Sequence, residues 1–281
     1  MTGPSLLTLG HGYSAAALAA TLPGWRIAGT TRSPERAAAM RARGVEAIDW
    51  ADAAAVERAI AGAERILVSL PPDGGGDPAL ARHADALAAA PARWVGYLST
   101  TGVYGDRRGG WVDEASALRP SVERGRWRVA AERAWAATGL PVEVFRLAGI
   151  YGPGRSVLDR LRAGRAHRIV KPGQVFSRIH VDDIAAALAA AIARPEPGRV
   201  VNLADDLPAP PDEVIVFAAE LLGMPAPPAV PLEEAGLSPM ARSFWEDSKR
   251  VGNRRLREKL GVALRWPDYR AGLRGVLAAG G

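Results

Sequence analysis

The chain has 281 residues, 48% of them hydrophobic and 23% charged, which excludes a disordered chain and allows one α/β domain with a small appended lobe. Formal charge is +6 and the isoelectric point about 10.1, yet the basic residues are scattered, and the one dense run (Arg250, Arg254, Arg255, Arg257, Lys259) reads as a solvated helix face without a nucleic-acid motif. Cysteine is absent, which excludes disulfides, thiolate catalysis and cysteine-ligated metals.

The first predicted strand, Ser5 to Leu9, runs into Gly10-His11-Gly12-Tyr13-Ser14-Ala15, and an alanine-rich helix follows through Leu22. This is G-x-G-x-x-A between a strand and a helix, the order a dinucleotide site demands. Gly10 allows the tight turn and Gly12 lets the backbone approach a pyrophosphate. Ala15 lets helix and strand pack closely, and the N-terminus of the helix, expected over Ala16 to Leu22 with Tyr13 and Ser14 just before it, faces the phosphate charge. The second strand, Trp25 to Thr30, leads into Thr31-Arg32-Ser33 about twenty residues after the turn. An NAD site usually places an acid there for the ribose 2′-hydroxyl. Here Arg32 and Ser33, with Arg36 one turn on, suit a 2′-phosphate, so NADP is expected ahead of NAD.

A helix over Pro34 to Arg43 follows, with Ser33 as N-cap and Gly44 beyond its end. Val45 to Ile48 is a third strand, Ala53 to Ala61 a helix, and Arg65 to Leu70 a buried fourth strand. Pro71 to Gly76 must be loop, and Asp77 caps a helix reaching Ala90. Arg93 to Leu98 is the fifth strand. A helix around Arg124 to Thr138, a strand over Pro141 to Leu147 and another over Val200 to Leu203 complete the alternation. The pattern predicts a doubly wound parallel Rossmann sheet with a small C-terminal substrate lobe. Residues 1–150, with a return segment 178–204, form the expected dinucleotide-binding domain. Residues 151–177 and 205–281 form the expected lobe over the carboxyl ends of the strands, where ligands of open α/β sheets sit.

Several segments together carry a resemblance. They are Tyr97-Leu98-Ser99-Thr100-Thr101-Gly102-Val103-Tyr104-Gly105, Phe145 to Arg155, Arg178-Ile179-His180-Val181-Asp182-Asp183-Ile184-Ala185, Asp247 to Asn253 and Tyr269 to Leu273. In that order they resemble the atypical and extended short-chain dehydrogenase/reductases, in the YeeZ-like branch of the NAD-dependent epimerase/dehydratase family. The resemblance implies hydride transfer between a nicotinamide and a carbonyl or alcohol carbon. It places Ser99 as the hydroxyl that bonds the substrate oxygen, and Ser69 and Pro71 near the nicotinamide half. A homodimer is also implied.

The family's Tyr-x-x-x-Lys pair is absent. Aligning Ala130-Ala131-Glu132 puts Arg124 in the tyrosine's place and Arg128 in the lysine's. An arginine holds a ribose or a phosphate but is a poor proton donor. Tyr104 is the expected replacement acid, with Tyr151 a second candidate, and Arg128 the expected holder of the ribose. Phe176 stands where the family often carries a diphosphate-binding arginine, with Arg178 two residues on, so the resemblance leaves both a carbonyl oxidoreductase and a nucleotide-sugar epimerase or dehydratase open, with no UDP-sugar assigned. His180 reads as a structural residue at a helix start. The missing pair also raises a rival of another class, a non-catalytic redox sensor that binds NADPH. No His, Asp and Glu grouping has metal spacing. No signal peptide is evident, and the apolar run Ile184 to Ala193 is too short for a bilayer, so the expected place is the cytoplasm, with a small-molecule partner and no membrane.

Overall fold

Alternating β-branched or leucine-rich runs and alanine-rich helices build the chain from its first residues onward. The computed structural model describes residues 3–280; residues 1–2 and 281, the outer ends of the two expected units, lie outside the described residues. The strands are β1 (Ser5–Leu9), β2 (Arg26–Thr31), β3 (Glu46–Asp49), β4 (Arg65–Val68), β5 (Trp94–Thr100), β6 (Trp111–Val112), β7 (Val142–Leu147), β8 (Gly149–Tyr151), β9 (Arg168–Val170), β10 (Arg178–His180), β11 (Val200–Leu203), β12 (Ala229–Pro231) and β13 (Arg250–Val251). The helices are α1 (Tyr13–Ala20), α2 (Pro34–Arg41), α3 (Ala53–Ala61), α4 (Pro78–Ala88), α5 (Glu123–Ala136), α6 (Val157–Arg162), α7 (Val181–Ala193), α8 (Pro211–Leu221), α9 (Pro239–Ser243), α10 (Arg254–Glu258) and α11 (Tyr269–Ala278).

Seven strands form one parallel sheet in the order β11-β7-β5-β4-β1-β2-β3. The order reverses at β1, which pairs with β2 on one side and β4 on the other. That reversal opens the crevice in which doubly wound sheets bind ligands. Alternation along the strands divides the core between the two faces of the sheet. Leu7, Ile66, Val68, Val95 and Tyr97 point to the face covered by α3, α4 and α5. Leu6, Leu67, Leu98, Phe145 and Val201 point to the other, against Leu18 of α1 and Ile184 and Leu188 of α7. A third apolar cluster joins Tyr151, α6, α8 and α11 through Leu158, Val214, Ala218, Tyr269 and Leu273.

The doubly wound sheet is as predicted, and the differences are local. Helix α1 starts at Tyr13, three residues before the expected start, so Tyr13, Ser14 and Ala15 are its first turn. Strand β5 runs through Thr100 rather than ending at Leu98, which puts Ser99 inside the ladder opposite Arg146. Two- and three-residue pairs, β6 with β13, β8 with β10 and β9 with β12, were not expected, because segments so short carry no periodicity to read. Asp77 caps α4 as anticipated, accepting from the Ala79 and Leu80 amides at 2.9 and 3.2 Å. Among the described residues no helix is long and apolar enough to cross a membrane, and no group of three or more His, Cys, Asp or Glu is placed to hold a metal ion.

Candidate active site

The glycine turn lies at the carboxyl end of β1, at the reversal of strand order. Gly10 has φ +87°, a conformation that L side chains avoid, and a Cβ there would lie 3.0 Å from Leu70 Cδ2. Its amide donates to Thr30 Oγ1 at 2.8 Å and its carbonyl accepts from Ser69 Oγ at 2.6 Å. Ser69 thus fixes the turn. Gly12 is different. Its φ of −96° and ψ of −164° are open to any residue, and a Cβ there would meet only Ser69 Oγ, at 4.0 Å. The protein leaves that space empty. Gly12 is also the N-cap of α1, and no side chain caps the helix, so the first-turn amides remain for a ligand. An open cradle beside an uncapped helix start fits a pyrophosphate.

At the end of β2, Arg32 is exposed, and among the described residues it makes no ion pair or side-chain hydrogen bond. It stands free for a phosphate. Ser33 does not. Its Oγ caps α2, accepting from the Arg36 amide at 3.2 Å, and donates to Glu35 at 2.5 Å. That bond holds the exposed Glu35 carboxyl below its usual range. The expected cofactor role of the Ser33 side chain is therefore corrected to a capping role. Tyr13 Oη donates to Pro153 O at 2.9 Å and its ring faces the Arg155 guanidinium 5.8 Å away, which ties the glycine turn to the turn after β8. Burial pushes the Tyr13 phenol up, against the pull of Arg155.

A cavity of about 1420 Å³ opens from this turn between the sheet edge and the small lobe. Gly12, Tyr13, Ser14, Ser69 and Pro71 line one end of it, and Ser99, Thr100, Thr101 and Arg128 another part of its wall, so most of the expected site residues share one chamber. Tyr104 does not. It is fully buried, and its hydroxyl donates to Asn202 Oδ1 at 2.7 Å and accepts from Arg146 Nη1 at 3.0 Å. The turn Thr101–Tyr104 swings it beneath the sheet edge, and burial raises its pKa while Arg146 opposes. The expected role of Tyr104 as acid is overturned. Tyr151 lines the cavity, but its hydroxyl turns to the Asp268 carbonyl at 3.4 Å, and burial pushes its pKa far up.

Ser99 is corrected as well. Its Oγ donates to Glu132 Oε1 at 2.5 Å, and Glu132 accepts twice more from Arg146, at 3.1 and 2.7 Å, in a buried ion pair. The only hydroxyl proton of Ser99 is thus committed to the interior. Thr100 and Thr101 follow it into the cavity. Thr100 Oγ1 accepts from the Gly102 amide at 3.1 Å and keeps its proton. The run Ser99-Thr100-Thr101 is plain in the sequence. Which hydroxyl faces the ligand depends on where β5 ends, and that boundary is not. Arg128 is in place. From the half-buried face of α5 its Nη1 donates to Leu98 O at 2.6 Å, and its guanidinium lies over the Tyr97 ring.

Arg124, one turn before Arg128, also reaches the cavity, and there it meets a strap built on α9. Its Nη2 donates to Ser243 Oγ at 2.8 Å and its guanidinium stacks 4.5 Å over Phe244. Lys171 holds the Trp245 carbonyl, and Phe176 meets the Trp245 ring edge to face. The chamber is strongly basic. Six arginines and Lys249 line it against two aspartates. Both acids are engaged, Asp159 in a capping box with Ser156 and Asp247 in an ion pair with Lys249. His180 Nδ1 accepts from the Asp182 amide at 3.2 Å as N-cap of α7, between the Tyr151 and Trp266 rings, a structural place.

No protein-family model matches the chain. A functionally unknown conserved protein from Silicibacter pomeroyi has a structure similar to this one, with a TM-score of 0.93 at 54% identity, covering 98% of this chain and 99% of the other. Protein YeeZ of Escherichia coli K12 is 25% identical over 92% of this chain and 95% of its own length. The dTDP-glucose 4,6-dehydratase of Bacillus anthracis, in complex with NAD, shares the fold with a TM-score of 0.78 at 16% identity, covering 98% of this chain and 96% of that one.

Proposed function

The chain belongs to the extended short-chain dehydrogenase/reductases, in their YeeZ-like branch, and on that footing we propose that it is an NADP(H)-dependent oxidoreductase or epimerase-like enzyme acting on a small molecule. The observation that carries this reading is the open space at Gly12 beside the uncapped start of α1, at the mouth of the basic chamber. Residues 1–150 with 178–204 carry the cofactor in this account, and residues 151–177 with 205–281 select the substrate.

The first-turn amides of α1 would hold the pyrophosphate, and Arg32 would hold the 2′-phosphate in bidentate fashion. The nicotinamide, when bound, supplies or takes a hydride at a substrate carbon. Thr100 donates its free hydroxyl proton to the substrate oxygen as a hydrogen bond. Arg128, pinned to Leu98 O, keeps the electrostatic role and steadies the negative charge that develops there. Its own proton stays put, since a guanidinium titrates above about 12. With Tyr104 buried, the proton that completes alcohol formation comes from water entering the chamber.

The test is NADPH oxidation by the purified protein across a panel of aldehydes, ketones and oxo acids, with calorimetric titration of NADPH alongside. Turnover of any member with saturable NADPH binding supports the enzyme. Tight NADPH binding with no turnover across the panel moves the reading to the redox sensor, and absence of binding removes both.

A further inference from the structure

Besides Arg124 and Arg128, four arginines line the chamber, Arg155, Arg160, Arg165 and Arg178. Arg165, like Arg160, makes no side-chain hydrogen bond or ion pair among the described residues, and Arg160 and Arg178 are near enough for the charge of one to act on the other. Arg124 is occupied by Ser243 and Phe244, Arg128 by Leu98 and Tyr97, and Arg155 lies over Tyr13. Arg178, on β10, spends one nitrogen on the carbonyls of Phe176 and Ala209, at 2.9 and 3.2 Å. Its remaining guanidinium nitrogens have no acceptor among the described residues. Arg160 projects from α6 into the same chamber, open to its solvent, and makes no hydrogen bond or ion pair through its side chain among the described residues. Around them stand apolar walls, Val214 and Ile215 from α8 and Tyr269 and Leu273 from α11, with the Arg178 guanidinium 6.0 Å from the Tyr269 ring centre.

We propose, resting on the reading given under Proposed function, that the substrate carries a carboxylate or phosphate monoester on an apolar body, and that Arg160 and Arg178 hold this anionic group. Two guanidiniums lining one chamber without a counter-ion are costly, and an anion bound by both relieves desolvation and repulsion together. The electrostatics agree. Burial lowers the Arg178 pKa, Asp205 opposes, and the charge of Arg160 lowers it further. Arg178 forms no ion pair with a carboxylate among the described residues. Burial pushes Asp205 up to about 8 despite Arg178, with Asp206 and Asp268 adding to the rise. Its Oδ1 accepts from the Leu207 amide at 3.3 Å and its Oδ2 has no partner. A planar fork that can bond two oxygens at once suits a carboxylate or a phosphate equally, so the head group is set by experiment rather than by the fork.

The experiment is calorimetric titration of the full chain, with and without NADPH, using phenylacetate, phenyl phosphate and benzyl alcohol as probes. Expected is saturable binding of at least one anion at concentrations where benzyl alcohol does not bind, the tighter of the two naming the head group. Arg160→Gln should weaken that anion about tenfold or more, the loss of one charge-assisted bond. Arg178→Gln should do the same; since that side chain also braces two carbonyls, Arg160→Gln decides the matter if the Arg178 variant fails to fold. Anion binding no tighter than that of benzyl alcohol, or unchanged in Arg160→Gln, overturns the proposal. NADPH affinity, measured on the same samples, should be unaltered by Arg160→Gln. Failure of NADPH to bind the parent would sink the cofactor reading instead and leave the anion result standing.

Discussion

Gly12→Val should separate ligand binding from folding. At Gly12 the backbone angles, φ −96° and ψ −164°, are those of extended chain, and the nearest atom to a built Cβ is Ser69 Oγ at 4.0 Å. The Cβ of a substituted residue therefore meets no wall of protein. The cost to the fold is that of a poor N-cap residue in place of glycine, about 1 kcal/mol. The valine methyl groups would occupy the space through which a pyrophosphate approaches the first turn of α1. Losing two hydrogen bonds to charged oxygens, about 1.5–3 kcal/mol each, predicts a loss of NADPH affinity of roughly 10² to 10⁴-fold. Gly10 gives the contrast. With φ +87° and Leu70 at 3.0 Å, Gly10→Val should unfold the turn itself. Circular dichroism and calorimetry on the two variants check both halves. A Gly12→Val protein that is folded and binds NADPH within threefold of the parent would refute the cradle.

Once a substrate is found, Thr100→Val should lower turnover by about 10² or more with NADPH affinity unchanged, a loss of this size being usual for a removed oxyanion donor. Tyr104→Phe should leave turnover within about threefold yet cost about 1–3 kcal/mol of stability in thermal melts, because Arg146 and Asn202 lose a buried partner. The opposite pattern would return Tyr104 to the mechanism. Asp205→Asn should raise the melting temperature at pH 9 and change it little at pH 4. The folded carboxyl titrates at about 8, above its ordinary 3.8, so the native state holds the extra proton between these values, and this contribution to stability is lost as pH rises from 4 to 8. A variant equally stabilised at both pH values contradicts that assignment.

The sheet was legible because its strands are apolar runs separated by capped helices. Asp77 and Ser33 announce their helices, and Gly10 and Gly12 name the crevice before any coordinate does. The failures cluster where one residue of boundary decides which way a side chain points. Extending β5 by two residues turns Ser99 into the interior toward Glu132 and leaves Thr100 at the cavity. The short helical turn after it hides Tyr104, a residue whose aromatic body and polar tip suit a buried network as well as a site. Arg160, in a six-residue helix with no motif, gave no signal at all. Its meaning depends on β10 and α8 arriving from elsewhere in the chain.

The central claim is a cradle for NADP(H) closed by Arg32, and the direct measurement is calorimetric titration of NADPH and NADH into the parent and Arg32→Ala proteins. The account predicts that the parent binds NADPH more tightly than NADH. It also predicts that Arg32→Ala cuts that preference by about tenfold or more, the worth of a charge-assisted phosphate contact, while NADH binding is unchanged. Equal affinities of the parent for the two cofactors, or a preference that survives the loss of Arg32, would contradict it.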